Sequence, residues 1–489
     1  MNLSKSKYCN AFQCMKMLWL YKNKPDVIES VDNSSIFENG HVVGEIAKEL
    51  FGEYFNIEFG NLNGMVNDTL THISNNSVCN ICEASFNYNN NFCSVDILRK
   101  NNDSYEIYEV KSSTGVSDIY LEDVSYQYYV LTKLGYSVSK AYIVYLNRDY
   151  VRQGDIELDK LFNIEDVTDT CISKIDEVDK RIKDINEFMN NLDEPGDMVS
   201  IKCFDPYKCP FFGYCTKHLS SPNVFNIDSM RKSKMIELYD RGITSYGDLI
   251  KEDLNPRYLE QINFELNDLP DKIDVSEIKG FLSTLSYPLY FLDFETYQQA
   301  IPLYDGIRPY QQIPFQYSLH YIEKEGGELF HKEFLAESGV DPRRDLAESL
   351  VRDIPLDVCT LAYNMSFEKT VITNLAELYP DLSKHLLNIR DNIKDLEVPF
   401  SKRYYYNKFM KGKSSIKYVL PALFPDDPSL NYHNLDEIHN GSEAMNAFAN
   451  MYKMNKEEQL KLRENLLKYC CLDTYAMVKI YYKLLDVIK

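Results

Sequence analysis

The chain has 489 residues, of which 44% are hydrophobic, and its formal net charge is −21. One hydrophobic core rarely organises a chain of this length, and a disordered chain is less apolar, so we expect two or three folded domains. The charge excludes a protein that coats nucleic acid through a uniformly basic surface, but not a nuclease with a local basic track. Because the sequence has no cleavage signal near its start and no apolar run of about 18 residues, we expect a cytoplasmic protein without a membrane partner.

The hydrophobic pattern predicts a multidomain α/β chain in three parts. Residues 1–220 begin with helical segments, pass through several β-like runs and end with an amphipathic helix near 172–191. Residues 221–284 lack strand patterning and are interpreted as a helical linker, whose helix–turn–helix pattern also fits a small hairpin for the DNA backbone. Strand patterning returns in residues 285–489, which we interpret as a second α/β domain.

Four cysteines bracket the first part: Cys14 near the start, and Cys203, Cys209 and Cys215 in the run CFDPYKCPFFGYC. Thiolates are soft ligands, so thiols this far apart in sequence point to a metal or cluster that joins the two ends. Cys9 is a substitute for Cys14 in this set. We interpret five other cysteines as core thiols: Cys93, Cys171, Cys359, Cys470 and Cys471.

A short hairpin in the first part is predicted to place two carboxylates opposite each other. The runs FCSVDILRK and YEIYEVKSS flank the turn NNDS, and positions 96 and 109 are equidistant from its centre. With a tight turn and no bulge, the Cβ atoms of Asp96 and Glu109 lie about 5 Å apart, and strand alternation puts Lys111 on the side of Glu109. Two acids that share a divalent ion beside an ammonium group are typical of metal-assisted phosphodiester hydrolysis. The alternative is an exposed acid pair with a surface lysine.

Two predicted helices flank this hairpin. His41 and Glu45 share a face in NGHVVGEIAKELF, and the helix DIYLEDVSYQYYVLTKLGY carries Gln127. The ordered set GHVVGEIAKELF, SVDIL, EVKSS and SYQYYVL resembles the RecB-type branch of the PD-(D/E)xK nucleases, which have a restriction-endonuclease-like α/β core. The resemblance implies that Mg²⁺ or Mn²⁺ is held by His41, Asp96 and Glu109, that Lys111 is the catalytic lysine, and that Gln127 is a supporting contact to the substrate or to the lysine.

The cysteines extend this resemblance. Cys14 with a C-terminal triplet is similar to the CRISPR-associated RecB-type exonucleases and to the AddB nuclease, where four cysteines hold a [4Fe–4S] cluster that joins the ends of the nuclease domain. This chain departs from the usual spacing of two residues, because five residues separate Cys203 from Cys209. All-thiolate ligation suits a cluster or a zinc ion. The resemblance implies a structural [4Fe–4S] cluster, and zinc stays the alternative.

The third part carries a second set of acids. Asp293 and Glu295 in YFLDFET are two residues apart on a predicted strand and point to one side, as is needed to hold two metal ions about 4 Å apart. Near the end of the chain, Tyr469 and Asp473 are four residues apart in a predicted helix and therefore share a face. A bare Asp-x-Glu pair is common and indicates little by itself. Its combination with Tyr469 and Asp473 on a later helix is what makes the pattern specific.

The order of a strand Asp-x-Glu, the segment YNMSFEK and a last helix with Tyr-x-x-x-Asp resembles the DnaQ-like exonucleases of the RNase H-like fold. The resemblance implies that Asp293, Glu295 and Asp473 hold two metal ions and that Tyr469 orients the attacking water. The chain departs from the family at Glu368, where an aspartate is usual; the longer side chain could still reach a metal, with Asp395 as a reserve acid. A degenerate domain kept for binding is the alternative. The joined architecture also resembles an uncharacterised prokaryotic family of predicted RecB-type nucleases.

The segment SKRYYYNKFMKGKSSIKYV alternates cations with aromatic rings. Cations for phosphates beside rings for bases suit a single-stranded nucleic acid. A solvated loop with buried tyrosines, in a chain that has 38 of them, fits the same pattern. The candidate substrate contacts are Lys402, Arg403, Lys411, Lys413 and Lys417.

These motifs predict a nuclease with two metal-dependent sites that hydrolyses phosphodiester bonds, on DNA in preference to RNA and on single strands or ends. Two alternatives stay open. One is an exonuclease for RNA, and the other is a non-catalytic scaffold that binds nucleic acid or proteins of a repair or antiviral defence complex. A scaffold gains little from keeping unpaired carboxylates together.

Overall fold

The computed structural model describes residues 2–29, 34–75 and 79–489, which form two compact α/β units. The first unit comprises Met1–Leu219 and Gln299–Gln311, and the second comprises Ser220–Gln298 and Gln312–Lys489. The segment 221–284, expected to be a separate linker, therefore belongs to the second unit. In the described ranges, no helix combines the length and the apolar character needed to cross a membrane.

The first unit is built on a seven-stranded mixed sheet. Six strands follow the order β2-β3-β4-β5-β6-β7, and β1 pairs with the start of β4. The strands are β1 Leu3–Ser4, β2 Phe55–Asn56, β3 Asn80–Tyr88, β4 Asn91–Asn101, β5 Ser104–Lys111, β6 Val138–Leu146 and β7 Phe162–Asp166. The helices are α1 Lys5–Gln13, α2 Met15–Asn23, α3 Ser34–Ala47, α4 Leu62–Ser74, α5 Asp118–Lys133, α6 Leu158–Leu161, α7 Thr168–Asn190 and α8 Phe212–Thr216.

Helix α5 lies in the interior of the first unit. Most of its residues from Ile119 to Leu131 are buried, because it packs against the sheet, α1 and α7. Its buried set includes polar side chains such as Glu122, Asp123 and Gln127. Buried polar groups need partners, so this helix brings functional groups to a protected place beside β5.

The second unit contains a five-stranded sheet in the order β11-β10-β9-β12-β13, in which β9, β10 and β11 are antiparallel and β9, β12 and β13 are parallel. The strands of this sheet are β9 Leu289–Tyr297, β10 Ile313–Ile322, β11 Leu329–Leu335, β12 Cys359–Ala362 and β13 Ile393–Asp395, and a separate two-stranded sheet pairs β8 Lys272–Ile273 with β14 Tyr405–Tyr406. The helices of the unit are α9 Lys232–Asp240, α10 Tyr246–Leu249, α11 Pro256–Leu266, α12 Val275–Leu282, α13 Arg343–Asp353, α14 Ser366–Leu378, α15 Pro380–Asp391, α16 Val398–Ser401, α17 Ile416–Leu423, α18 Gly441–Met451 and α19 Lys456–Asp486.

The two faces of this sheet pack against different helices. Tyr290, Leu292 and Phe294 of β9 belong to a core formed with α13, α14 and α15. Leu289 and Phe291 belong to a second core that contains the C-terminal half of α19. Because side chains alternate along a strand, the residues that continue the second face, at positions 293 and 295, point towards α19.

Candidate active sites

The hairpin of β4 and β5 has the register expected from the sequence. Asn102 and Asp103 form the turn, and the pairs run from Asn101 opposite Ser104 to Ile97 opposite Tyr108. The next position in this register puts Asp96 opposite Glu109. The carboxylate of Asp96 also accepts a hydrogen bond from the backbone N–H of Val110, at 2.7 Å. The two acids therefore lie side by side at the end of the ladder.

Lys111 and Gln127 surround Glu109. Lys111 Nζ lies 2.7 Å from Glu109 Oε1 and 2.5 Å from a carboxylate oxygen of Asp123. Gln127 Nε2 donates to Glu109 at 2.6 Å and to Asp123 at 3.2 Å. Gln127 and Lys111 thus contact the same two carboxylates, those of Glu109 and Asp123. Asp123, which the sequence analysis missed, stands one helical turn before Gln127, a spacing that could have revealed it.

A second lysine from the start of the chain completes this network. Lys5 Nζ lies 2.8 Å from Glu109, 3.6 Å from Asp123 and 3.8 Å from Asp96. Burial by itself lowers the pKa of Lys5, but the attraction of Asp123, Glu109 and Asp96 outweighs it and holds that pKa well above its ordinary value. Lys5 is therefore a permanent cation placed where a divalent ion would contact the same carboxylates.

The carboxylates respond unequally to this environment. Burial, followed by repulsion from Glu109, raises the pKa of Asp96 to about 7. Burial also acts to raise the pKa of Glu109, but Lys111 and Lys5 outweigh it and hold that pKa below its ordinary value. Asp96 is thus the acid in this site whose charge is least compensated, and a divalent cation would stabilise its ionised form.

The cleft beside these residues has a volume of about 280 Å³ and is lined by His41 and Glu45 of α3, as well as by Asp96, Glu109 and Lys111. Glu45 is paired with Lys48 at 2.6 Å. Glu83 lines the same cleft and has a left-handed backbone, with φ of 57°. Non-glycine residues in this conformation store strain, and such strain clusters at functional sites. Nothing in the sequence pattern around Glu83 distinguished it.

The pairing of Lys5 with the acids leads to a prediction about metal dependence. A unit charge at 4 Å contributes about 4 kcal/mol at an effective dielectric constant of about 20, and a third of that corresponds to roughly ten-fold in affinity. For Lys5→Ala, we therefore expect the apparent dissociation constant of Mn²⁺ at this site to fall roughly ten-fold. The measurement is a Mn²⁺-binding titration of the full chain, with Lys7→Ala as the control, because Lys7 contacts Asn2 rather than the acids. An unchanged Mn²⁺ affinity would show that Lys5 does not compete with a metal ion.

The four cysteines of the expected cluster lie within electrostatic range of one another in the first unit. Cys14 separates α1 from α2, and its neighbour Gln13 donates to the carbonyl oxygens of Lys202 and Tyr207 at 2.8 and 2.6 Å. Lys202 in turn donates to the carbonyl of Phe12 at 2.7 Å. These bonds hold the start of the chain against the cysteine triplet.

The thiols interact with one another electrostatically. Burial raises the pKa of Cys209 to about 12, against a backbone hydrogen bond at Phe211 that lowers it, and Cys203, Cys14 and Cys215 add smaller increases. Burial likewise raises the pKa of Cys215 to about 11. Cys9 does not join this group, because its electrostatic neighbours are Asp123, Lys111, Lys5 and Glu109. Cys9 thus lies beside the acid–lysine network, and Cys14 is the cysteine near the start of the chain that interacts with the triplet.

The second unit gathers its acids between β9 and α19. Repulsion between Asp293, Glu295 and Asp473 adds to burial in raising the pKa of both Asp293 and Glu295 well above their ordinary values. A carboxylate oxygen of Asp473 accepts a hydrogen bond from the hydroxyl of Tyr432 at 2.6 Å, and Tyr469 also bonds to Asp473. The structure thus brings together the strand acids, the helix acid and the helix tyrosine that the sequence singled out.

A cysteine lies among these acids. A ligand atom from each of Asp293, Glu295 and Cys470 falls within 4.8 Å of the other two. Cys470 is fully buried, as a core thiol is expected to be, but its Sγ lies 3.9 Å from a carboxylate oxygen of Asp293. Among the side chains that the structure describes, no ion pair within 4.0 Å joins Asp293, Glu295 or Asp473 to a lysine, arginine or histidine.

Glu368, on α14, stands at the edge of this cluster. It is 2% exposed, and burial raises its pKa to about 8 with a smaller contribution from Asp395. One of its carboxylate oxygens is buried without a hydrogen-bond partner in the described part of the chain. Asp395 instead accepts backbone hydrogen bonds from Asn364 and Glu397 at 3.0 and 2.9 Å. Glu368 is therefore the acid available to the cluster, and Asp395 is occupied by the turn that follows β13.

The acids of the second unit imply a pH dependence for the metal-free protein. Burial raises the pKa of Asp473 to about 6 and that of Glu368 to about 8, so protonation favours the folded state. This stabilisation is complete below about pH 4 and is lost as the pH rises through the two folded values. In EDTA, we expect the melting temperature to fall between about pH 4 and pH 8, and to fall less in Asp473→Asn. Equal slopes in the two proteins would contradict this expectation.

The basic segment divides in the structure. Lys417 is exposed and lies near the acids, since its charge lowers the pKa of both Glu295 and Asp473 against the effect of burial. Lys411 and Lys413 line a different cleft of about 730 Å³ in the same unit. Lys402 is exposed. The expected basic segment therefore does not form one continuous surface, because Lys417 lies near the acids whereas Lys411 and Lys413 line another cleft.

Arg403, expected to contact the substrate, is buried and paired within the protein. Its side chain is 6% exposed, because it forms an ion pair with Glu260 at 2.9 Å and stacks over the ring of Tyr406. A guanidinium held in this way cannot bind a phosphate of the substrate. Tyr405 and Tyr406 are also buried, as expected if this segment is a solvated loop with buried tyrosines rather than a surface that stacks bases. Phe409, at 64% exposed, is the aromatic ring of this segment that is most open to solvent.

The comparisons with known proteins describe relatives without an assigned activity. Residues 290–415 match a family model described as a domain of unknown function, DUF2779. The uncharacterized protein MG366 of Mycoplasma genitalium is 27% identical over 233 residues, which cover 44% of this chain and 34% of that protein. The chain thus spans about a third of the length of this relative. The DUF2779 match includes Asp293, Glu295 and Glu368 and ends before Tyr469 and Asp473.

Proposed function

We propose that the chain is a metal-dependent nuclease that hydrolyses phosphodiester bonds of DNA, acting as an exonuclease on single strands or ends. The observation that carries the proposal is the group formed by Asp293, Glu295 and Asp473. Glu295 is buried and the other two are half-buried, the pKa of each is raised, and none has an ion-paired cation among the described side chains. Holding such groups together costs free energy unless a cation is bound, so a divalent metal site accounts for their arrangement.

The donors fit Mg²⁺ or Mn²⁺, which prefer carboxylate oxygens. Bound ions of this kind polarise the phosphate and lower the pKa of water. Asp293, Glu295 and Asp473 would hold the ions, and Glu368 would add a fourth carboxylate. Tyr469, hydrogen bonded to Asp473, would orient the attacking water, and Lys417 would attract the phosphate. These roles correspond to a DnaQ-like domain of the RNase H-like fold.

In the first unit, Asp96 and Glu109 would hold a metal ion with His41, and Lys111 would stabilise the charge that develops on phosphorus. Gln127 fixes the carboxylate of Glu109 with a hydrogen bond of 2.6 Å. The matching order of these residues supports a RecB-type PD-(D/E)xK nuclease. The electrostatic proximity of the four cysteines supports a structural [4Fe–4S] cluster, with zinc as the alternative metal. Since metal must displace the thiol protons, loading of this site is coupled to pH. Proteins of DNA repair or antiviral defence in the cytoplasm are the partners that fit this activity.

The test is degradation of end-labelled single-stranded DNA by anaerobically purified protein in Mg²⁺ or Mn²⁺. Wild type is compared with Lys111→Ala, Asp293→Asn and the control Lys133→Ala, which removes an exposed lysine at the end of α5. We expect each of the first two variants to lose a distinct share of the products, and the control to keep them all. Cleavage of RNA but not DNA would favour the RNA exonuclease, and binding without cleavage in any metal would favour the scaffold.

A further inference from the structure

Two histidines and a cysteine meet on the second sheet, at a place that the proposed nuclease function does not use. His320 on β10 pairs with His331 on β11, and their rings lie 4.4 Å apart. A ring nitrogen of each histidine and Sγ of Cys471, on α19, all lie within 4.8 Å of one another. His320 is buried, Cys471 is half-buried and His331 is exposed, so the group is reachable from solvent. Cys471 is therefore not the core thiol that the sequence analysis expected.

Hydrogen bonds around this group determine which ring nitrogens carry protons. The hydroxyl of Thr474 donates to the carbonyl oxygen of Cys471, at 3.2 Å. It also lies 2.6 Å from the hydroxyl of Ser318 and 2.8 Å from Nδ1 of His320. Ser318 lies 2.9 Å from Nε2 of His331. Four hydrogen bonds thus connect two hydroxyls, two imidazoles and one carbonyl.

Only one arrangement of protons makes all four bonds at once. The carbonyl can only accept, so it takes the single proton of Thr474, and both Ser318 and Nδ1 of His320 must then donate to Thr474. The proton of Ser318 is thereby used, so Nε2 of His331 must donate to Ser318. In neutral rings, this leaves Nε2 of His320 and Nδ1 of His331 with free lone pairs. In the described part of the chain, no hydrogen bond reaches either of these two atoms.

The electrostatics of the group agree with neutral rings. Burial, followed by the charge of the partner ring, lowers the pKa of His320 to about 4, and burial lowers the pKa of His331. Ligating histidines are neutral, and their second nitrogen is usually fixed by a hydrogen bond to a protein group. Here the hydroxyls of Thr474 and Ser318 fill that role. Glu333, two residues after His331 on the same face of β11, adds negative charge beside Cys471.

We propose that His320, His331 and Cys471 form a binding site for a divalent transition-metal ion, with Zn²⁺ as the best match, separate from the ions of the two nuclease sites. Two imidazoles and a thiolate are borderline and soft ligands that select zinc over magnesium, and Glu333 or water would complete four-fold coordination. Binding releases the proton of the Cys471 thiol to solvent as the sulfur–metal bond forms.

Such an ion would join β10 and β11 to α19. Cys471 lies between Tyr469 and Asp473, the two helix residues of the proposed nuclease site. An ion on Cys471 would therefore fix the rotation and register of α19 relative to the strand that carries Asp293. The role of the ion is to position the helix, because its ligands are distinct from the carboxylates that would hold the nuclease metals.

The test is titration of the full metal-depleted chain with Co²⁺, whose visible ligand-field bands and thiolate charge-transfer band report tetrahedral sites with sulfur. Wild type is compared with His331→Gln and Cys471→Ser. The controls are His385→Gln and Cys359→Ser, which remove a histidine and a buried thiol of the same unit that lie outside the group. His331→Gln removes an exposed ring and keeps a side chain able to bond to Ser318, so it is expected to fold.

We expect both test variants to lose the same increment of the cobalt spectrum, and one zinc ion per chain by elemental analysis, whereas the controls match wild type. Excess Mg²⁺ should leave that increment unchanged. The four cysteines of the first unit are intact in every protein, so their contribution cancels in the difference spectra. Equal spectra and equal zinc content in wild type, His331→Gln and Cys471→Ser would overturn the proposal, even if cleavage of DNA were impaired.

Discussion

Replacing Asp293 with asparagine is expected to reduce cleavage by the second site roughly 100-fold or more, while making the metal-free chain more stable. The two effects have one cause. The half-buried carboxylate of Asp293 is repelled by those of Asp473 and Glu295, so its charge is unfavourable without a cation, and a bound metal ion would need that same charge. The raised pKa means that the ionised carboxylate costs stability at neutral and higher pH, so we expect the metal-free variant to have a higher melting temperature than wild type at about pH 8 in EDTA.

The measurement pairs a cleavage assay with thermal unfolding in EDTA and in Mn²⁺. We expect Mn²⁺ to raise the melting temperature of Asp293→Asn by less than that of wild type, because the variant loses the contribution of the second site while the first site keeps its own. Asp353→Asn is the matched control. Asp353 is also a buried carboxylate of the second unit, but it accepts a hydrogen bond from Tyr317 at 2.7 Å and pairs with Lys332 at 3.3 Å.

Asp353→Asn should therefore lower the stability of the chain, whereas Asp293→Asn should raise it. Removing a carboxylate that has partners leaves those partners unsatisfied, which costs about 1–3 kcal/mol, and it should leave cleavage unchanged. If Asp293→Asn were destabilising to a similar extent and retained full activity, Asp293 would be a structural residue and the metal site would have to be abandoned.

The sequence predicted local geometry well where one element or one tight turn determines it. The pairing of Asp96 with Glu109 follows from a two-residue turn, because the period of a strand then fixes every pair. Tyr469 and Asp473 share a face because they lie on one helix. In each case, the residues that matter are connected by a short stretch of regular backbone, whose geometry is known in advance.

Contacts between distant segments were not predictable in the same way. Lys5 reaches Glu109 across 104 residues of sequence, and no spacing rule connects them. The pairing of His320 with His331 depends on the conformation of the six residues between β10 and β11, and a shift of one residue would have turned one ring to the other face. Arg403 looked exposed because its segment is polar, whereas its burial depends on Glu260, which lies on a separate helix.

The cysteine site carries the second large expected effect. If the four thiols hold the proposed cluster, replacing Cys209 with serine is expected to abolish its broad absorbance and the bound iron and sulfide, and to destabilise the first unit. Binding free energies at structural thiolate sites are on the order of 10 kcal/mol, so losing one of four ligands should cost several kcal/mol. Cys171→Ser is the control, because Cys171 is buried in the same unit with Ser125 as its neighbour.

Helix α1 connects the four-cysteine site to the first candidate active site. Lys5 at its start contacts Glu109, Tyr8 in its middle donates to Glu122 of α5 at 3.0 Å, and Cys14 follows its end. Loss of the cluster should therefore loosen α1 and weaken its packing on α5, which carries Asp123 and Gln127. We expect Cys209→Ser to lose the products that depend on Lys111 and to keep those that depend on Asp293, and limited proteolysis to cut near α1 in this variant alone. Equal loss of both product sets would show that the cluster acts on the whole chain, and a full complement of zinc with no iron in wild type would assign the four thiols to zinc.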